Sequence, residues 1–308
     1  METKPCGVLL LDKPEGVSSN RALQMVRGLL GRTKGGYAGT LDPLSTGLLP
    51  ICLGESTKYL SFFSEATKTY EAIVQLGARS STGDLEGTLT SAPISPLTTF
   101  DTERLTRQFT GELTQVPPMY SAVKVDGKRL YQLARAGEEI SREPRAIEIF
   151  HLDIAILGPD RLKLDVVCSK GTYIRVLAED ICEASGNQGH LVALRRTAMG
   201  DVSVESAVMF DELSDMNNQD RYRVLGNVDQ YIDFPKVSLN EEAECQFIHG
   251  ITVSIVELPE MSELLRIYTH DQIFLGLGVV LSDGLLKPKR LMSQEYISSQ
   301  RRLNSYKD

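Results

Sequence analysis

The run Gly-Val-Leu-Leu-Leu-Asp at residues 7–12 is continuously apolar until its last position and reads as a buried strand. Ser18 or Ser19 then offers a side-chain oxygen to cap a helix running to about Leu30, with Leu23, Val26 and Leu30 on one face. A glycine-rich loop follows, with Gly35, Gly36 and Gly39 around Tyr37, and ends at Asp42-Pro43, where Pro43 suits the first position of a short helix. Tyr70 to Leu76 alternates as a strand, 80–90 is a polar turn region, and 101–110 has helical spacing. Pro117-Pro118 breaks regular structure. Residues 119–146 mix basic, aromatic and glycine residues as an exposed binding insertion does. Two strands are predicted between Ala146 and Arg175, the second from Leu162 to Cys168, and then a helix from about Tyr173 to Ala184. The polar stretch 211–235 reads as a connector ending near Pro235. Strand-like runs at Arg266 to Tyr268 and Ile273 to Val280 predict a small β-rich module beyond it. This order of strands and helices favours an α+β fold over a doubly wound sheet. The expected division is 1–232 for the larger unit and 233–308 for the smaller.

Composition narrows the class. With 42% hydrophobic and 24% charged residues, the 308-residue chain has enough apolar material for a sizeable core. Five cysteines (Cys6, Cys52, Cys168, Cys182, Cys245) without a C-x-x-C pair fit buried thiols in a reducing compartment. No run approaches the roughly 18 to 20 apolar residues of a membrane span, so a cytosolic protein is expected. A net charge of −8 argues against a nucleic-acid partner until its distribution is considered. Residues 201–260 hold 13 acidic and three basic residues, a net of −10, which leaves +2 for the rest. Arg21, Arg27, Arg32 and Lys34 have no acid between them. Lys124, Lys128, Arg129, Arg135, Arg142 and Arg145 crowd another segment. On charge alone, solvated helix faces explain these as well as a phosphate footprint does.

Several chemistries fail on sequence. Lys34-Gly35-Gly36 lacks the Gly-Lys-Ser/Thr of a phosphate-binding loop, and Gly276-x-Gly278 lacks the rest of a dinucleotide fingerprint. No G-x-S-x-G elbow is present, and His151, His190, His249 and His270 are too widely spaced for an H-x-x-x-H site. The expectation is an enzyme without metal or cofactor that works with carboxylate, tyrosine and arginine.

The candidate constellation is Gly36-Tyr37-Ala38-Gly39-Thr40-Leu41-Asp42-Pro43-Leu44-Ser45-Thr46-Gly47, continued by Leu53-Gly54-Glu55-Ser56-Thr57-Lys58. Taken alone, Asp42-Pro43 reads as a helix N-cap followed by proline. The whole string resembles the active-site motif of the TruB family of tRNA pseudouridine synthases, in which G-H-x-G-T-L-D-P-x-A-T-G-x-L carries the catalytic aspartate. Gly7 to Pro14 with Gly16, Ser18 and Ser19 is similar to that family's N-terminal signature. Tyr70 ahead of Leu76-Gly77, then Ser80, Thr82, Asp84 and Gly87, match its next segments. Pro118-Met119-Tyr120-Ser121-Ala122 with Lys124, Cys168 to Arg175, and Leu194-Arg195-Arg196 match its later ones. The resemblance covers roughly residues 6–200 in order. One position departs from it: Tyr37 stands where histidine is usual.

The resemblance implies a mixed, mainly antiparallel catalytic sheet with an RNA-binding insertion at about 119–146 and a PUA-like C-terminal domain. It implies isomerisation of the T-loop uridine at tRNA position 55, on a base flipped out of the stack. Breaking N1–C1′ and rejoining C5 to the same carbon needs no cofactor. Asp42 would attack C1′, take part in forming a glycal, or add to the ring, and the sequence does not choose among these. By the same resemblance Arg175 keeps Asp42 ionised, Tyr70 stacks on the uracil and handles a proton, and Tyr173 and Leu194 wall the pocket. Tyr37 fills the gap left by the base, while Lys13, Lys124, Lys128 and Arg129 contact RNA. Lys287, Lys289 and Arg290 would meet the acceptor stem. The partner is the T stem-loop of tRNA, with no protein partner needed. The alternatives are a paralogue acting on other RNA with guide partners, and a tRNA-binding or folding protein whose catalytic site is silent.

Overall fold

The computed structural model describes residues 5–121, 123–125, 127–255 and 264–304. Its main element is a ten-stranded mixed sheet. Eight strands follow in spatial order: Val208–Met209, Gly7–Lys13, Thr46–Leu53, Gly189–Met199, Lys68–Leu76, Arg161–Cys168, Arg145–Gly158 and Gly111–Gln115. Val202–Ser203 and Gly35–Tyr37 pair off this path. Two of the pairings are parallel and the others antiparallel, as expected for an α+β fold of this kind. A second, five-stranded sheet is built from Lys236–Ser238, Val253–Ser254, Leu264–Tyr268, Phe274–Val280 and Leu285–Leu291.

The apolar run at the start of the chain is explained by two cores. Leu9 and Leu11 of the strand Gly7–Lys13 face one cluster with Ala22, Leu23 and Val26, the inner stripe of the helix Ser19–Leu29, and with its C-cap Leu30. Val8 and Leu10 face a second cluster that includes Phe247, Leu265, Ile267 and Phe274 of the C-terminal module. With both faces covered, every position must be apolar, and each leucine so buried contributes roughly 1.5–3 kcal/mol. The helix Ile174–Ala184 buries Ile174, Leu177, Ala178, Ile181 and Cys182, the spacing of a single stripe.

The C-terminal module grips the first sheet through the segment 54–65. Lys58 Nζ donates to the Leu291 carbonyl at 2.9 Å, the Tyr59 hydroxyl to the Arg290 carbonyl at 3.0 Å, and the Ser293 amide to Glu55 Oε2 at 2.8 Å. Phe62 meets Phe234 edge-on.

Two local expectations are corrected. No helix follows Asp42-Pro43: the segment is a turn closed by the Ser45 amide on the Asp42 carbonyl at 3.0 Å, and the chain then enters the strand Thr46–Leu53. The stretch 211–235 is not a plain connector. It holds the helices Phe210–Asp215 and Asn218–Arg223, and Gly226 exchanges hydrogen bonds in both directions with Val8.

Candidate active site

Asp42 sits on a loop braced from four sides. Ser19, 1% exposed, accepts from the Leu41 amide at 2.8 Å and donates to the Leu41 carbonyl at 2.9 Å. The Gly16 amide donates to the Pro43 carbonyl at 2.8 Å, and Lys13 Nζ reaches the same oxygen at 3.4 Å. Arg196 donates through Nε to the Leu48 carbonyl and through one terminal nitrogen to the Gly39 carbonyl, both at 2.8 Å. Glycine is required at two points of this bracing. Gly39 and Gly47 have φ of 67° and 99°, and a Cβ at either would collide with Arg196.

Arg175, at the start of the helix Ile174–Ala184, places Nε 3.0 Å from Asp42 Oδ2. Its terminal nitrogens donate to the Thr82 carbonyl at 2.8 Å and the Tyr120 carbonyl at 2.7 Å, and Asp84 Oδ2 lies 3.6 Å away. Asp84 is itself fixed by the Thr82 hydroxyl and the Glu86 amide. Tyr173, at the cap of the same helix, is clamped by Gln115, which accepts from its amide at 2.9 Å and donates to its carbonyl at 3.3 Å. The strand Gly189–Met199 joins the two halves of the site. Arg196 pairs with Tyr70 on one side and with Gly47 on the other.

A cavity of about 360 Å³ opens above these groups, lined by Asp42, Tyr70, Tyr173, Arg175, Leu194 and Arg196 among others. That volume suits a single nucleoside. The Asp42 side chain is 35% exposed at the mouth; desolvation by the surrounding walls raises its pKa, Arg175 opposes that, Asp84 adds to it and Lys13 opposes it. Tyr70, 8% exposed, has its phenol pKa raised, chiefly by burial. Ser121, 6% exposed, lines the cavity. It lies near enough to the Tyr173 phenol to oppose the rise that burial causes there. The arrangement provides an ionisable carboxylate, a fixed guanidinium and an aromatic wall in one partly closed space.

The comparisons with known proteins address the same residues. A family model described as the TruB family pseudouridylate synthase N-terminal domain matches residues 27–174. Models of the tRNA pseudouridylate synthase B C-terminal domain and of the pseudouridine synthase II TruB C-terminal region match 175–232 and 235–292. The chain belongs to the TruB family of pseudouridylate synthases. It is a pseudouridine synthase, an isomerase. It is similar to the tRNA pseudouridine synthase B of Stutzerimonas stutzeri, with 41% identity over 294 residues, 94% of this chain and 96% of that one. It is also similar to that of Methylobacillus flagellatus, with 45% identity over 290 residues, 94% and 95% of the two chains. The crystal structure of a Cbf5-Nop10-Gar1 complex is similar at a TM-score of 0.71 and 22% identity, covering 95% of this chain and 87% of that one, a likeness of fold.

Of the residues expected at a TruB site, the structure gathers Asp42, Tyr70, Tyr173, Arg175 and Leu194 around one cavity. Tyr37 lies outside that lining, half-buried in the strand Gly35–Tyr37 opposite Ile51 and packed against the core. Lys128 is exposed in the short hairpin Lys124–Val125/Lys128–Arg129, and the side chains of Lys124 and Arg129 lie outside the described residues. Lys13 corrects the expectation of an RNA contact. It is 0% exposed, and its Nζ donates to the carbonyls of Pro14 and Val17 at 2.8 and 2.6 Å as well as towards Pro43. Arg290, expected at phosphate, is exposed and donates through one terminal nitrogen to the Lys58 carbonyl.

Sequence reasoning gave no role to Arg196 or Asp84 and offered Ser19 only as a helix cap, although all three lie in the TruB-like strings, and it passed over Lys68. A usable signal for Lys68 was its position two residues before Tyr70 in an alternating strand, which puts it on the inward face.

Proposed function

We propose that the chain isomerises the T-loop uridine at position 55 of tRNA to pseudouridine, with the Asp42 carboxylate as the covalent or acid-base group. The observation that carries this is the Asp42–Arg175 pair at 3.0 Å, set at the mouth of a nucleoside-sized cavity walled by Tyr70, Tyr173 and Leu194. A relative at 45% identity named tRNA pseudouridine synthase B supports tRNA as the substrate. The uridine flips out of the T loop into the cavity, because none of its reacting atoms is reachable while it is stacked. The Tyr70 ring supplies a face for the uracil. Asp42 engages the nucleoside as N1–C1′ breaks, and Arg175 keeps it ionised until then. The apolar walls hold the detached base against escape and hydrolysis. Tyr37 stacks at the vacated position of the RNA.

Exposed Arg21, Arg32, Lys34 and Lys128 supply phosphate contacts to the T stem, which is read mainly by shape. The reaction needs no protein partner. We place it in the cytoplasm, in keeping with five unpaired cysteines. No helix of the described residues is long and apolar enough to cross a membrane.

The test is to incubate purified protein with an unmodified tRNA transcript and with an isolated T-stem hairpin, without additives, and to map pseudouridine. Product at position 55 in both is expected. Product only elsewhere, or only with added guide RNA, or none despite tight binding, overturns the reading in favour of a paralogue or a silent binder.

A further inference from the structure

Lys68 lies on the same strand face as Tyr70 and is 6% exposed. It lines the cavity beside Tyr70 and Arg196. Its Nζ donates to the carbonyls of Ser64 and Ala66, both at 2.5 Å. An ammonium has three N–H bonds, and no partner for the third is present among the described residues. The other cations of the cavity are engaged differently: Arg175 is held by Asp42, Thr82, Tyr120 and Asp84, and Arg196 braces the Asp42 loop. Lys170 at the rim is 58% exposed and paired with Glu65. Burial, reinforced by the charges of Arg196 and Lys170 and opposed by Cys168 and Glu65, lowers the Lys68 pKa to about 8, so the group still carries its proton at neutral pH. Tying two carbonyls at a helix end does not require a charge to be sunk in the wall of a reaction cavity, where desolvation opposes it.

The chemistry proposed above creates a need for such a group. In direct displacement, a carboxylate oxygen of Asp42 bonds to C1′ as N1–C1′ breaks, and the electron pair of the broken bond stays on the uracil. The base is then an anion with its charge spread over N1 and the ring carbonyls. C5 later attacks C1′ and expels the carboxylate, the C5 proton is lost and N1 takes one up, so atoms and electrons balance without a co-reactant. We propose that Lys68 is a catalytic residue that donates its third N–H to a carbonyl oxygen of the flipped uracil and holds the charge that the base acquires as N1–C1′ breaks. The base fits better than a phosphate as its ligand. A phosphodiester stays at the wet mouth of the cavity, whereas Lys68 is sunk beside the Tyr70 ring. The inference rests on the synthase reading of Asp42.

The test compares the full chain with Lys68→Met and Lys68→Arg in single turnovers of a T-stem hairpin. The reactive nucleoside is uridine or 5-fluorouridine, and the readout is consumption of the original nucleoside. Fluorine stabilises the base anion, so N1–C1′ cleavage needs less help from a cation. On uridine, Lys68→Met is expected to slow the step about 10- to 100-fold while hairpin affinity changes less than about threefold. Lys68→Arg recovers part of the rate. On 5-fluorouridine the deficit of Lys68→Met shrinks markedly. Equal deficits on both bases, or no deficit in a folded variant, overturn the inference. If Lys68→Met does not fold, an equal Lys68→Arg deficit on the two bases overturns it in the same way. A wild-type protein that makes no pseudouridine would instead overturn the synthase reading, which keeps the two failures apart.

Discussion

Arg175 Nε stands 3.0 Å from Asp42 Oδ2, and the rest of the same guanidinium is fixed by the Thr82 and Tyr120 carbonyls and by Asp84. The arginine is therefore positioned before any RNA arrives. The polypeptide, and not the substrate, orders the charge that faces the carboxylate.

Replacing Asp42 by Asn keeps the shape of that carboxylate and removes its charge. Turnover is expected to fall by about three orders of magnitude or more, since a residual rate would have to come from binding and orientation alone. Affinity for a T-stem hairpin changes little. The check is pseudouridine yield in single turnover beside a binding titration, and equal yields from the Asp42→Asn variant and the parent protein would remove Asp42 from the chemistry.

The direction of the Asp42 pKa gives a pH prediction for rate and one for stability. Burial holds the carboxyl above its ordinary value despite Arg175. The active form is ionised, so kcat/KM falls as pH drops through a value above the ordinary carboxylate range, and Arg175→Met moves that acid limb higher. For stability the sign is opposite. A carboxyl whose folded pKa is raised binds more protons folded than unfolded, so stability declines as pH rises from the ordinary carboxylate value through the folded one. At neutral pH Asp42→Asn removes that penalty, while Asp84 still balances Arg175. A rise in Tm of about 1–3 °C is expected, vanishing in acid below the ordinary carboxylate range. Melting curves across pH check it, and a Tm lowered at pH 7 would show that the ion pair outweighs burial.

Tyr37 is not part of the cavity wall, and its half-buried ring packs against the core beside the Asp42 loop. If it acts by filling the place of the flipped base, Tyr37→Ala slows binding or flipping about tenfold and leaves the chemical step measurable. Tyr37→His, with a ring of similar reach, restores most of the loss. A 2-aminopurine neighbour in the hairpin reports flipping directly, and unchanged turnover in Tyr37→Ala would discard the assignment.

What was legible in the sequence depended on how local the cause was. The alternation through Tyr70 to Leu76, the Ser18 cap and the apolar stripe of Ile174–Ala184 are set by near neighbours, and these elements lie within a few residues of their expected limits. The contacts that position the carboxylate are not local. Arg196 reaches Leu48 and Gly39 only because its strand runs parallel to Thr46–Leu53 in one register, and periodicity carries no information about register between distant strands. The stretch 211–235 looks like a connector for the same reason, since its polar composition hides the two-way pairing of Gly226 with Val8. A lysine at the end of an apolar strand reads as a surface cation by composition, whereas Lys13 turns inward to collect carbonyl groups.

That inward lysine yields the prediction that separates bracing from RNA contact. Lys13→Met leaves the Pro14 and Val17 carbonyls without their donor and frees one hold on Pro43. Each buried acceptor left unmatched costs about 1–3 kcal/mol, offset in part because burial already lowers the Lys13 pKa to about 8 and its charge is poorly solvated. A net loss of about 2 kcal/mol is expected, read by urea unfolding at pH 7. Turnover falls with it, because the turn that aims Asp42 loses a tether. Binding behaves differently from the loss of a phosphate contact. Removing a true phosphate contact lowers the slope of log affinity against log salt by about one. The slope for Lys13→Met should match the wild type, whereas Lys128→Met, at an exposed position, should flatten it. A flattened slope for Lys13→Met in a protein of unchanged stability would return Lys13 to the RNA interface.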